Sequence, residues 1–433
     1  MNVVVHHPFV AALVAGGSTL PASPLSWLNQ RRAAALERAN ALSEPSTRDE
    51  DWRFTDLAPL NRLHYQVPAA VAAAVDVAPF SLPESALRLA FVDGVYAPEL
   101  SVRGTMPAGI AAGTLAEGLK LHPALMAAHL AAHAAYQQQF FCALNTAWLR
   151  DGAYVHITGN VTLHAPIHLL FISTRKDAAT SPRLLVVADS GAQCTVVEDH
   201  VATTADAYFN NAVTEIAVAS NARVKHVRVQ RDSLAAVHIA SCAVSLAKDA
   251  SYVSQSVALG ARLSRYNLDV VQRGEGAEAV IDGLALIAGQ QCADTHTVMD
   301  HAQPNGRCTQ LHKTIVGGEA HAVFNGKVFV RQGAQLTNST QQSRNLLLSP
   351  KARVDTKPQL EIFADDVKCA HGATVGQLDA EQLFYLKSRG LPDGQARNLL
   401  TFAFGAEIVH RIPVPSLVAQ LERAVMAQTQ ASV

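Results

Sequence analysis

Cysteine is scarce and scattered. The 433-residue chain holds six, at positions 142, 194, 242, 292, 308 and 369, and none forms a CxxC pair. That pattern excludes a disulfide framework and a CxxC-built zinc site, and most of these thiols read as small core hydrophobes. An excess of one charge is missing too, with 35 Lys+Arg against 36 Asp+Glu and no block of like sign. This argues against a dedicated nucleic-acid or membrane-surface protein, since either needs a basic patch. No apolar run reaches the roughly 20 residues of a spanning helix. The N-terminal MNVVVHHPFVAALVAGGSTLPASP has an apolar stretch, but the first basic residue is Arg31, so the positive n-region of a secretory signal is lacking. A cytoplasmic chain with a loose N-terminal extension is the expectation. Catalytic signatures are also lacking: there is no GxSxG elbow, no GxxxxGK[ST] phosphate loop, no GxGxxG and no HExxH. A chain of this size without them reads as a scaffold or subunit before it reads as an enzyme.

What is present changes character twice along the chain. Residues 1–150 read as mainly helical, with Ser26 capping a helix to about Leu42 and a second helical stretch over 121–149. Between them lies the acidic and aromatic RDEDWRFTDLAPL, 48–60. From about Asp151 short Val/Ile/Leu/Thr-rich runs alternate with similar turns. The turns end at Ala192, Ala222, Ala250, Ala277, Arg307, Ala334, Ala352 and Ala373, with gaps of 30, 28, 27, 30, 27, 18 and 21 residues. A period near 30 in a strand-rich region predicts a solenoid, in which each turn buries its apolar face on the next. A β-sandwich is the competing arrangement, with shorter and less regular spacing. We therefore expect a mainly β protein: a parallel β-helix over 151–375 with helical domains at 1–150 and 376–433. In the last region Asp379 and Gln382 suggest a capping box, Gly390 a helix stop, Pro392 a new start, and Ser416 the cap of a final helix.

Three constellations carry chemistry. Cys369 and His371, a CxH pair in a Gly-bearing turn, offer a soft and a borderline metal ligand at i and i+2, which share a face if the backbone is extended. The plain reading is a buried thiol beside a surface histidine. His296, His301, Cys308 and His312 resemble a metal set by composition, but their spacing fits no zinc pattern. Asp355, Asp365 and Asp366 would be the carboxylates of a polysaccharide-cleaving β-helix, yet the adjacent pair points to opposite faces of a strand.

The run NLLLSPKARVDTKPQLEIFADDVKCAHGATVGQLDAEQLFYLKSRG resembles the core and C-terminal signature of the SufB/SufD family of iron–sulfur cluster assembly proteins. NAVTEIAVASNARVKHVRVQ (211–230), DTHTVMDHAQPNG (294–306) and AVFNGKVFVRQGAQLTNSTQQSRN (322–345) agree, and EDWRFTDL (50–57) is similar to a segment of the SufD branch, as is KCAHGATVG. The likeness runs from about residue 45 to 410. It implies a right-handed parallel β-helix and a non-catalytic subunit that pairs with SufB and joins two copies of the SufC ATPase. It further implies that SufC docks on the C-terminal helices, here Leu383, Phe384, Tyr385, Leu386 and Arg389. The family histidine of the nascent-cluster site matches His371, with Cys369 as a weaker candidate. The cluster is transient and shared with SufB, and this chain alone holds no cofactor tightly. When isolated, two such chains are expected to be able to pair with each other. The competing functional readings are a β-helix carbohydrate-active enzyme and a stand-alone metalloprotein.

Overall fold

The computed structural model describes residues 6–17, 20–64 and 75–431. Its centre is a β-solenoid of about eight turns. Successive strands alternate between two facing sheets, so each pairs in parallel with the strand one coil away. One sheet runs from Ile167–Ser173 through Gln193–Ala202, Arg223–Arg231, Ser251–Ala258, Glu278–Ile287, Arg307–Val316 and Thr337–Leu347 to Val367–Gly376. The other runs from Arg183–Ala188 through Phe209–Val218, Val237–Leu246, Leu263–Gln272, Cys292–His301 and His321–Val330 to Arg353–Ile362.

The recurring turns are one corner of this solenoid. Asn160, Gly191, Asn221, Asp249, Gly276, Asn305 and Leu336 all have positive φ there. Asn, Asp and Gly tolerate that conformation best, which is why the corner is legible as a sequence repeat. Each corner N–H donates to a carbonyl of the next: Gly191 to Ser220, Asn221 to Lys248, Asp249 to Glu275 and Gly276 to Pro304. The alanine that closes most corners is buried (Ala192, Ala222, Ala250, Ala277 and Ala334), because coils stack too closely there for a larger side chain. Two members of the series fall elsewhere. Ala352 closes a turn of the opposite corner, after Ser349, and the Gly372–Ala373 step lies inside the strand Val367–Gly376, not in a turn.

The first 150 residues hold strands as well as helices. Leu87–Val92 pairs in parallel with Ile167–Ser173, and Ile110–Thr114 runs antiparallel to Ala153–Ile157, so both extend the solenoid sheets. The helices there are α1 (Pro8–Gly17), α2 (Ser26–Ala41), α3 (Leu115–Leu121), α4 (Pro123–His129) and α5 (Phe140–Ala147). Of the extension expected to be loose, residues 1–5 and 18–19 lie outside the described residues, whereas α1 packs Phe9, Val10, Leu13 and Val14 against Trp52, Phe140 and Phe141. Ser26 is the first residue inside α2, and Leu25 precedes it without a side-chain cap. The single helix expected over 121–149 is broken at 130–139. The fully buried Glu215, far away in sequence, accepts from the N–H groups of Ala131, His133 and Ala134 and fixes a turn there.

The C-terminal helices are α6 (Ala380–Ser388), α7 (Asp393–Val409) and α8 (Pro415–Ala431). Ile408, Val409, Leu417, Leu421 and Val425 of α7 and α8 bury against Val197, Val227, Val257 and Leu284 on the outer face of the first sheet. Ser416 does not cap α8 with its own side chain. Glu84, from the N-terminal region, accepts from its N–H at 2.8 Å and its hydroxyl at 2.6 Å, placing an anion at the positive end of the helix.

Candidate functional site

The last coil of the solenoid is where the expected site residues lie. Among the described residues, Val367–Gly376 pairs only with Thr337–Leu347 and leaves its other edge open. Arg353–Ile362 is likewise the terminal strand of its sheet. In register, Cys369 sits beside Ser339 and His371 beside Gln341. Val367 and Cys369 pack toward Val328, Val330 and Ala334 between the sheets, so alternation puts His371 on that same inward face. At this depth none of the described residues covers the face, and His371 is exposed. It lines a recess of about 330 Å³ with Gln341, Ser343 and Arg344. A Cβ built on Gly372 or Gly376 would meet no atom within 4 Å, so the outward edge is unfilled. Burial raises the Cys369 thiol above its ordinary pKa and keeps it protonated. Of the two, His371 is the more exposed.

The other expected ligands do not converge. His296 pairs with Asp294 at 3.1 Å on the outer face, His301 bonds Gln272 at 2.7 Å, and His312 lies against Phe324. Cys308 is buried under Ser339. Among the described residues no group of three or more His, Cys, Asp or Glu is arranged to hold a metal ion.

The helix α6 carries Leu383, Phe384, Tyr385 and Leu386, with Arg389 at its C-cap, and buries none of its residues. Phe384 is 74% and Tyr385 57% exposed. The Asp379 side chain caps the helix by accepting from the N–H groups of Glu381 and Gln382. At the other end Leu391 donates to Leu386 and Gly390 to Lys387, with Gly390 at φ +92°, which is the Schellman stop. Local sequence thus defines a helix that little tertiary packing supports. Between α6 and α7, Tyr385, Leu386, Leu399, Leu400 and Ala403 line an apolar groove of about 400 Å³.

The EDWRFTDL segment docks the N-terminal region on the outer face of the second sheet. Arg265 stacks over Trp52 at 4.4 Å and donates to the Asp51 carbonyl at 2.7 Å. Both Arg265 and the Thr55 hydroxyl bond the buried Asp294.

Sequence reasoning missed a polar assembly inside the solenoid. Glu198 is buried and accepts from Thr214 at 2.8 Å, with His200 at 2.8 Å and His226 at 3.0 Å. Burial alone would raise its carboxyl, but the two histidines outweigh that and hold it well below the usual range. Arg228 donates to His238 at 2.6 Å, and Nδ1 of His238 lies 2.8 Å from the Asp232 carboxylate. Burial pushes His238 down to about 4 against the pull of Asp232. These residues come from several different coils, and no local spacing announces them.

Two family models match the chain. One is described as the SUF system FeS cluster assembly SufBD core domain, over residues 171–404, and the other as the SufBD protein N-terminal region, over 16–169. A SufBD-family iron–sulfur cluster assembly protein of Synechocystis is 42% identical, covering 93% of this chain and 92% of the relative. The iron–sulfur cluster assembly protein SufD of Escherichia coli is 32% identical over 85% of each. The chloroplastic protein ABCI7 of Arabidopsis thaliana is 31% identical over 94% of this chain and 88% of the relative.

Proposed function

The chain belongs to the SufBD family of iron–sulfur cluster assembly proteins, and from that premise we propose that it serves as the SufD-type half of a scaffold. It pairs with a SufB-type subunit, carries an ATPase of the SufC type on its C-terminal helices, and contributes His371 to the site where a cluster is built. The observation that carries this reading is the uncapped last coil. Its two terminal strands offer a row of unpaired backbone groups, and an isolated protein would be expected to protect such edges. A second solenoid laid edge to edge would satisfy them, by the logic of strand addition. His371 would then lie at the seam.

The chemistry asked of His371 is modest. An imidazole donates a nitrogen lone pair to iron or to a partly built cluster, with the partner's ligands completing the shell. The iron and sulfide are the cargo. The chain itself supplies position, since Gln341 and Ser343 beneath His371 are buried and fixed in the preceding coil. Chemical energy would enter through the ATPase. Closure of two ATPase subunits would pull on α6 and α7, and the solenoid is tied to α7 by Lys313 with Glu407 and to the turn after it by Asp282 with Arg411 at 2.9 Å. That couples a movement at the helices to the sheet whose last strand bears His371.

The test is co-expression with SufB- and SufC-type partners, followed by iron and acid-labile sulfide assays on wild type and His371→Ala. The reading expects the complex in both and cluster in wild type only. Cluster of normal amount in His371→Ala would remove the ligand role. Failure of the wild type to retain an ATPase partner would remove the scaffold role.

A further inference from the structure

The outer face of the second sheet, the sheet that does not carry His371, forms the floor of a cleft of about 880 Å³. The strands Leu263–Gln272, Cys292–His301 and His321–Val330 make that floor, and residues 42–52 with the start of α5 wall one side. In register, Asn267, His296 and Asn325 stand side by side across the three strands. Asp269, two residues after Asn267, projects from the same face. Two groups on this floor lack the partners that burial calls for. Asn325 is only 8% exposed, yet among the described residues no hydrogen bond reaches its side-chain amide. Asp269 accepts from the Gln139 amide at 3.2 Å and, among the described residues, pairs with no cation. The bases that line the cleft are already matched: Arg265 with Asp294, Lys327 with Glu361 at 2.7 Å and Arg331 with Asp300 at 2.6 Å. Burial accordingly raises the Asp269 carboxyl above its ordinary range, and the Gln139 bond does not offset it.

We propose that this cleft takes an arginine residue of an extended peptide, with the guanidinium on Asp269 and the peptide backbone on the Asn325 amide. The two anchors lie about 12 Å apart at the backbone, from two strand spacings and two residues of rise. Their side chains close part of that distance, and the long stem of an arginine carries its charge clear of its own peptide group to span the rest. The chemistry at each end is complementary. A carboxylate accepts two parallel N–H bonds from a guanidinium fork, and the incoming charge supplies the cation that Asp269 lacks. A side-chain amide offers one acceptor oxygen and an NH2 donor, the pair that a peptide group needs. Asn267 adds to this, because Nε of Arg265 donates to its Oδ1 at 2.8 Å and leaves its NH2 as a further donor. The inference does not depend on the scaffold role of the last coil.

The competing account is a neutral Asp269 bonded to Gln139 beside a hydrated Asn325, and it expects no ligand. The full chain is titrated calorimetrically with the pentapeptide acetyl-Gly-Gly-Arg-Gly-Gly-amide, with its uncharged citrulline counterpart, and with agmatine as a free guanidine. Asp269→Asn, Asn325→Ala and His371→Ala are run in parallel, each checked by thermal unfolding. The expected result is one site for the arginine peptide in wild type and in His371→Ala. Loss of the charge on either side, by citrulline or by Asp269→Asn, should weaken binding at least about tenfold. Asn325→Ala should weaken the peptide more than it weakens agmatine. Asp269→Asn removes a charge that burial disfavours, so its unfolding temperature should not fall below that of wild type, and lost binding there would not be lost fold. The proposal is overturned if wild type gives no binding of the arginine peptide at millimolar concentration, or if Asp269→Asn binds it as tightly as wild type. Agmatine binding as tightly as the peptide would overturn the peptide assignment and leave a site for a free guanidine.

Discussion

Cys369 and His371 share a strand face but not a chemistry. The thiol is half-buried, its pKa is raised by burial, and Val328 and Val330 lie beside it. Cys369→Ser should therefore leave cluster assembly within about twofold of wild type and cost no more than about 1 kcal/mol of stability, measured by chemical denaturation. His371→Ala should reduce assembled cluster by tenfold or more at unchanged stability, since the exposed ring makes little packing contact. Buried histidines elsewhere contribute to the loss of stability in acid. Burial pushes His301 down to about 4 and His312 down to about 3. Unfolded, each titrates near about 6.5, so the unfolded chain binds the extra proton. Their contribution is complete above that value and is lost as pH falls toward 4. Between about pH 6 and 4.5 each should cost about 1.4 kcal/mol per pH unit. Denaturation midpoints measured across that window should show the slope, and His301→Gln should flatten it by about one proton. The CxH pair was legible in sequence because its residues are two apart on one strand. The Glu198 cluster was not, because coil stacking brings its members together across coils, as in Glu198 with His226 and His200 with His238.

At the scale of elements, α6 combines strong local signals with weak packing. Its Asp379 cap and Gly390 stop were readable, since each acts within a few residues of itself. Its exposed face predicts separable effects. Phe384→Glu should leave the unfolding temperature of the isolated chain nearly unchanged, because the residue is already 74% exposed. The same change should abolish retention of the SufC-type ATPase in a pull-down, and equal retention would remove α6 from the docking surface. Elements whose definition is tertiary were the ones misread. No residue between 121 and 149 announces the break at 130. The signal is Glu215, whose three N–H contacts outweigh the helical preference of an Ala-rich run. The end of the turn series failed for a related reason. Gly372 and Ala373 copy the corner's residue types, but the corner before them is already supplied by the 363–366 turn, so the chain there runs extended.

For the whole molecule, the two ends of the solenoid differ. At the N-terminal end, Val95–Tyr96 and Ile110–Thr114 add antiparallel strands that finish the sheets, and helices cover the outer faces. At the C-terminal end, Arg353–Ile362 and Val367–Gly376 stop with open edges, and Val375 (49%) and Phe363 (58%) stand in solvent. A parallel solenoid has no internal means of ending, because each coil presents the surface that would accept another. A cap or a partner must therefore supply the missing neighbour, and the described residues beyond Gly376 run to α6, α7 and α8 on the side of the first sheet instead. With no partner present, a second copy of this chain offers an equivalent edge. Sedimentation velocity should then show reversible self-association of the isolated wild-type chain at micromolar concentration. Val375→Lys combined with Ile362→Lys places charge on both terminal strands, a device that blocks edge pairing, and should give a monomer with an unfolding temperature close to that of wild type at low concentration. Adding a SufB-type subunit should dissolve the wild-type assembly into a mixed pair and fail to engage the lysine variant. If the variant associates as strongly as wild type, the contact lies elsewhere. The open coil would then need another occupant, and placing His371 at a seam between two solenoids would lose its structural basis.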